Sequence, residues 1–477
     1  MPEAVKTTSG NVVARFRDGL PEPILPRTLK DAFEFTRALG LRYLWIDVLC
    51  ILQDSDRDWQ SNASKMGLIY KSAYCSLAAD AAKNTATGLP SYNIKNKLSN
   101  DDLIIDFSSR SGQPFDLICV SVCGWDRLRD PPIPGSSEPL HLRSWTLQER
   151  HLSHRMIHFS SNDLLWECTQ GRSSTRLPWF PWSPHTPQSR RLLDGDKEGL
   201  ESHLQNGGWD NIITDYSRRG LTYEKDIYTA ISGLAAAVDA KLSCSDQYLA
   251  GLWRSTLPLS LCWWAMFSEN IIVEPPESAG RAPSWSWASI YGSPCQWFSL
   301  RRVQRVIASL VRASAKASLD RQLGLAYNGR LVLKGTPRVL SVQTCLREGQ
   351  RGEGPFSQYN AVLRESSSSE HCLGTAVLDA QTTTVETSTP EPPQELVCLP
   401  IALIKVILPL SFVPKDIWLL SRDVLDPAAT DTGDAEHVLG LLLRPTDIPG
   451  EHHRVGLFRY ADPAVFEGCE ERELIVV

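Results

Sequence analysis

Residues 41–90, LRYLWIDVLCILQDSDRDWQSNASKMGLIYKSAYCSLAADAAKNTATGLP, decide the reading of the N-terminal fold. Residues 43–52 are a near-continuous apolar run, the pattern of a parallel strand covered on both faces. An acidic loop follows. A helix is then predicted from near Asp58, where Trp59, Ala63, Met66 and Tyr70 recur at helical spacing. Residues 74–79 read as the next strand. Just upstream, residues 28–39 read as a helix: Thr28 can cap it with Asp31 three residues on. Its apolar positions Leu29, Ala32, Phe33 and Leu39 share a face, and Gly40 is a stop. Helix, strand, helix, strand at this rhythm predicts an α/β fold with a parallel sheet and right-handed crossovers.

Further along, DLIIDF and DLICVSV read as short strands and PPIPGSSEP as a loop. RSWTLQERHL (143–152) is a short helix, followed by the strands RMIHF and LLWEC. The Pro- and Trp-rich LPWFPWSPHTP closes this region, which gives a first α/β domain over residues 1–187. Residues 209–242 are helical in pattern, so residues 188–290 form a helical extension with a Trp-rich end, SWSWAS. There Trp285 and Trp287 alternate with small residues, as on a strand burying one face. Residues 291–477 form a β-rich C-terminal region, in which RLVLKGTPRVLSVQ, CLPIALIKVIL and HVLGLLLRP suggest antiparallel strands. Composition predicts disordered loops near 364–371 and 381–395.

The bulk numbers exclude several classes. A chain of 477 residues with net charge −6 has no overall basic field, so nucleic acid is not an expected partner. The longest apolar runs, residues 257–267 and 400–409, are too short to span a bilayer. The N-terminus lacks the layout of a signal peptide. The twelve cysteines are scattered, and Cys50, Cys75, Cys119 and Cys398 lie in apolar runs. They read as reduced core thiols in a reducing, cytoplasmic compartment. Cys119 and Cys123 have no second pair at zinc spacing, and His151, His154 and His158 straddle a helix end and a strand start, so no metal is expected. No P-loop, GxGxxG or serine elbow is found.

Three blocks carry a resemblance. The stretch LRYLWIDVLCILQDSDRDWQSNASKMGLIYKSAYCSLAA resembles the core motif of the fungal heterokaryon incompatibility (HET) domain: strand, Gln-Asp loop and Met-Gly-containing helix. RSWTLQERHLSHRMIHFSSNDLLWEC is similar to that family's Arg-x-Trp-Thr-x-Gln-Glu-Arg helix and trailing Trp-Glu-Cys. YSRRGLTYEKDIYTAISGLA, YLAGLWRSTLP and APSWSWAS resemble the extension of large HET proteins. One departure stands out. HET domains usually open on a strand with a Ser-Tyr-x-Trp-Gly-like motif, whereas the residues upstream of Pro23 carry none, and VVARF (12–16) is the one strand candidate. The chain thus reads as lacking the family's first strand, which opens the reading of a truncated, inactive member.

The resemblance implies a flavodoxin-like fold related to TIR domains, some of which cleave NAD. It also implies a role in nonself recognition and programmed cell death, through self-association or another incompatibility protein. In the TIR enzymes a Glu follows a Trp-Cys-x-x-Glu pattern; Trp145, Thr146 and Glu149 stand at that spacing. The resemblance therefore implies Glu149 as the catalytic carboxylate, Trp145 as a ligand contact, and NAD as a substrate rather than a resident cofactor. Such a carboxylate would stabilise the positive ribose formed as the N-glycosidic bond breaks. A structural reading stays open: Glu149 has Arg143 and Arg150 nearby and suits an ion pair on its helix. Asp47 in an apolar run and Gln53 and Asp54 in the following loop stand where open α/β sheets bind ligands. Asp47 also suits a carboxylate satisfied by backbone N–H groups or by an Arg, and Asp54 a loop or helix-capping residue. A scaffold acting through homotypic contacts, with no catalytic residue, is the competing function.

Overall fold

The VVARF segment, expected as a strand, is helical: α1 spans Val12–Asp18 in the computed structural model. The structure describes residues 2–89, 102–105, 118–121, 138–161, 164–169, 171–175, 195–243, 245–265, 282–290, 295–297, 300–315, 329–344, 361–369, 371–379, 393–405 and 436–477. They divide into two compact units, Met1–Asp194 and Gly195–Val477. The regions read from sequence as a helical extension and a β-rich end belong to the same second unit.

In the first unit α1 is fixed by Arg15, whose guanidinium donates to the Val5 and Ala4 carbonyls and to Thr7 Oγ1. The predicted helix follows as α2 (Arg27–Ala38), with Leu29, Ala32 and Thr36 buried on one face. The apolar run at 43–52 is not a strand. Its centre is a single helical turn, α3 (Asp47–Cys50), closed by Cys50 N–H donating to Ile46 C=O at 2.8 Å. The N-terminal segment explains the difference. Thr7 N–H donates to Val48 C=O and Gln53 N–H to Thr7 C=O, so this backbone is satisfied without a ladder. Ile46 and Leu49 then pack on Val5, Leu25 and Leu29. Cys50, expected in the core, is exposed on the outer side of that turn.

Helix α4 (Asp56–Ser72) is capped by Ser55, whose hydroxyl accepts from Asp58 N–H, and Asp56 and Asp58 suit its positive N-terminus. Strand β1 (Ser76–Ala78) follows, and β2 (Asp102–Ile105) and β3 (Ile118–Ser121) pair antiparallel. Helix α5 (Trp145–Leu152) leads into β4 (Arg155–Phe159), β5 (Leu164–Cys168) and β6 (Gly171–Ser174). The sheet order is β1-β4-β5-β6. Only β1 and β4 are parallel; β4–β5 and β5–β6 are antiparallel hairpin partners. The short links after β4 and β5 dictate that, because parallel neighbours need a long crossover. The described sheet is therefore mixed rather than the expected flavodoxin/TIR-like parallel one.

The second unit opens with α6 (Lys197–Gln205), α7 (Gly208–Ser217) and α8 (Thr229–Lys241). Short strands β7 (Tyr248–Leu249), β8 (Leu252–Trp253), β9 (Trp263–Ala265) and β10 (Cys295–Trp297) follow. Trp285 and Trp287 do not alternate on a strand, since Trp287–Ser289 is a 3-10 turn and both rings are fully enclosed. Trp209 and Trp287 both donate their indole N–H to Gly251 C=O. Gly251 has φ +95° and lies so close to Trp287 that a Cβ would sit 2.3 Å from its ring nitrogen, so only glycine fits there.

The remaining strands are β11 (Val303–Val306), β12 (Ser309–Ala315), β13 (Gly329–Gly335), β14 (Arg338–Thr344), β15 (Ala361–Arg364) and β16 (Gly374–Leu378). They are completed by β17 (Gln394–Lys405), β18 (Glu436–Pro445), β19 (Glu451–Ala461) and β20 (Arg472–Val476). Strands β17, β14, β15, β16, β19 and β18 pair in that order, and β18 returns to β17, closing a barrel. Every pair in the ring is antiparallel. Leu340, Leu363, Leu396, Leu442 and Phe458 are among the residues of its buried core. Pro400 sits where the β17–β18 register shifts, as a strand proline must. The serine run expected as a loop near 364–371 is described to Ser369 and forms a turn between β15 and β16; most of 381–395 lies outside the described residues.

Candidate functional site

Helix α5 sets the site. Thr146 Oγ1 donates to the Leu140 and Arg143 carbonyls, locking the first turn onto the 3-10 turn Pro139–Leu142. Leu147 is fully buried, an anchor on the order of 1.5–3 kcal/mol. Unlike a surface helix, α5 buries six of its eight residues. Glu149 is one of the two half-buried positions, and it faces a cavity of about 590 Å³ whose lining runs from Thr28 to His158.

The sequence candidates divide. Asp47, at the first position of α3, lines the same cavity as Glu149. Its Oδ1 accepts from Val48 N–H at 2.7 Å, as a helix-start carboxylate does. Tyr70 of α4 ties the two together. Burial together with the Glu149 and Asp47 charges raises its phenol well above its ordinary value. The Tyr70 ring meets Trp45 edge-on at 5.8 Å. Arg42 and Arg143 are exposed on the cavity wall.

Gln53, Asp54 and Trp145 are elsewhere. Gln53 Nε2 donates to Ile51 C=O, and the Asp54 carboxylate accepts from Ser9 N–H and Ser9 Oγ, which holds its carboxyl below the ordinary value. Both secure the N-terminal segment. Trp145 packs edge-on against Trp59 at 6.0 Å, holding α5 on α4. Of the three histidines weighed for metal, His154 is exposed, while His151 and His158 are buried.

A group that sequence reasoning missed lies on the cavity's buried side. Parallel pairing sets Ala78 of β1 opposite His158 of β4, so the chain leaving β1 brings Asp80 beside the His158 ring. His158 Nδ1 lies 2.9 Å and His141 Nε2 3.1 Å from Asp80 Oδ2. His158 Nε2 lies 3.0 Å from Glu167 Oε2. Arg150 Nε donates to the same Glu167 oxygen at 3.0 Å, and Arg172 Nε stands 3.6 Å from Oε1. Asp80 and His158 are fully enclosed. Burial would raise the Asp80 carboxyl, but the two imidazoles beside its Oδ2 outweigh it and bring it down to about 2. The signal available in sequence was Asp80 at the end of a predicted strand, but its partners are 61 and 78 residues on, at His141 and His158.

Cys75 also lines the cavity, and burial pushes its thiol up to about 11, which removes the thiolate a nucleophile needs. What remains is a carboxylate-bearing cleft with aromatic walls, the Tyr70 phenol beside Glu149 and Asp47, and cations at its exposed side. Such a site can take a ligand with a flat ring and negative groups.

The class these features define is an α/β unit with a carboxylate-lined ligand cavity, joined to a β-barrel unit. Residues 13–149 match the family model of the heterokaryon incompatibility protein (HET), so the chain carries a HET domain. The match begins in α1 and ends at Glu149, and includes Asp47, Tyr70, Asp80 and His141. No curated protein and no solved structure matches the chain. Among the described residues no helix is long and apolar enough to cross a membrane.

Proposed function

We propose that this chain is a cytoplasmic protein of fungal nonself recognition, triggering programmed cell death through NAD cleavage in its HET domain, with Glu149 as the catalytic carboxylate. The observation that carries this reading is that Glu149 lies on a cavity shared with Asp47 and Tyr70, whose phenol both carboxylate charges help to raise. The C1′–N bond to nicotinamide breaks with its electron pair leaving on nicotinamide, and the ribose becomes positive. Ionised Glu149 stabilises that charge. Water attacks C1′ and loses a proton, giving nicotinamide, ADP-ribose and H⁺. Arg42 and Arg143 offer cations for the pyrophosphate, and Trp45 and Tyr70 flank the ring.

The test is NAD consumption by the full chain at high concentration, with Glu149→Ala beside it and thermal melts of both. Turnover by the parent, and a loss of about 100-fold or more in an equally folded variant, is expected. No turnover from a cooperatively melting parent sinks the enzyme reading. A second reading, a homotypic scaffold, is favoured by Val13 and Phe16, which are 74% and 88% exposed three residues apart on α1. That reading expects Phe16→Ser, not Glu149→Ala, to abolish self-association.

A further inference from the structure

The Asp80 group has donors that its hydrogen bonds do not use. His141 Nε2 lies near Asp80 but makes no well-formed hydrogen bond, and Asp80 Oδ1 accepts none, although both atoms are buried. One carboxylate oxygen, Oδ2, serves both rings, and the other serves neither. The rings stack at 6.0 Å with 25° between their planes. His141 Nε2 and His158 Nδ1 thus converge on one carboxylate oxygen, a geometry that suits a metal ion.

We propose that Asp80, His141 Nε2 and His158 Nδ1 hold a divalent transition-metal ion, with zinc the best match. One atom from each residue lies within 4.8 Å of the others, all three residues are buried, and all three line the cavity. Three protein ligands of imidazole and carboxylate type with an open side are the pattern of a zinc site that retains a water. Two imidazoles make calcium or magnesium a poor fit. Behind His158, Glu167 takes the other ring nitrogen, as a carboxylate does behind a ligating histidine. Arg150 and Arg172 hold Glu167 in place. Asp80, His141 and His158 line the same cavity as Glu149. This proposal does not depend on NAD being the substrate.

The experiment strips the full chain with a chelator, then titrates it with Zn²⁺ and separately with Co²⁺. One equivalent is expected, with a visible d–d band for cobalt of nitrogen and oxygen ligation. His141→Asn should weaken zinc binding by roughly 100-fold or more, beyond the loss seen for an outer-shell partner. Exposed His154→Asn should bind as the parent does. A cooperatively melting parent that takes up no ion overturns the proposal. So does a sulfur–cobalt charge-transfer band, which would place the ion on cysteines, or unchanged binding in His141→Asn. Should that variant not fold, X-ray absorption of the zinc-loaded parent decides: two imidazoles and oxygen support the site, and any other shell overturns it.

Discussion

Both units of this chain bury charge, and they do so to different ends. In the barrel unit Arg454 is enclosed between Asp379, the Trp263 carbonyl and the face of the Trp263 ring, whose centre is 3.5 Å away. In the HET unit Asp80, His158, Glu167 and Arg150 are as deeply enclosed, but Asp80, His158 and Arg150 also form part of a cavity wall. The first arrangement closes a core. The second leaves polar atoms facing space that a ligand can occupy. Buried charge therefore marks a candidate site only where the geometry also leaves room beside it.

The comparison breaks most visibly if one partner is removed on each side. Arg454→Met leaves Asp379 buried alone and should cost about 3–5 kcal/mol in chemical denaturation, with much of it recovered by adding Asp379→Leu. His158→Asn should cost a similar amount, because Asp80 and Glu167 both lose a ring-nitrogen partner. Recovery in the barrel but not in the HET unit is the expected outcome. Equal recovery when Asp80 and Glu167 are made apolar would reduce the HET cluster to another packed ion pair.

pH separates the units by sign. The folded Asp80 carboxyl is depressed to about 2, so its contribution is present above its unfolded value near 3.9 and is lost as pH falls towards 2. Asp210 in the barrel unit is the reverse. Burial raises it to about 7, opposed by Ser260, so its folded state favours the neutral acid. That contribution is full below about pH 4 and is lost as pH rises to about 7, a change on the order of a few kcal/mol. Stability curves should therefore show a fall between pH 4 and 7 that Asp210→Asn removes, and an acid-side fall that Asp80→Asn removes. A flat curve for the parent across both windows would contradict the assignment.

The smallest effect expected is at Cys50. It is exposed and off the cavity, so Cys50→Ser should leave stability within about 0.5 kcal/mol and NAD turnover unchanged. A large loss of turnover would instead give its thiol a chemical role.

Much of the fold was legible where one periodicity dominates. The helices at 27–38, 56–72 and 145–152 and the strands RMIHF and LLWEC stand close to where their patterns placed them. The run at 43–52 misled because a segment apolar on all sides reads as a buried strand, whether or not a partner strand exists. Here Thr7 supplies the backbone partners and turns Asp47–Cys50 into a helical corner. Glu149 and Asp47 were legible as candidates, and the structure brings both to one cavity. The Asp80 group was not, because its members share no local motif. Only the pairing of β1 with β4 and the 3-10 turn at His141 bring them together.

Hydrogen exchange of the Glu149→Gln chain with and without saturating NAD tests the central claim most directly, since that variant should bind without turnover. The account predicts slowed exchange at residues 41–47, 69–80 and 140–149 around the cavity, with the barrel strands unchanged. Slowing confined to residues 195–477, or no slowing under conditions where the chain melts cooperatively, would contradict it.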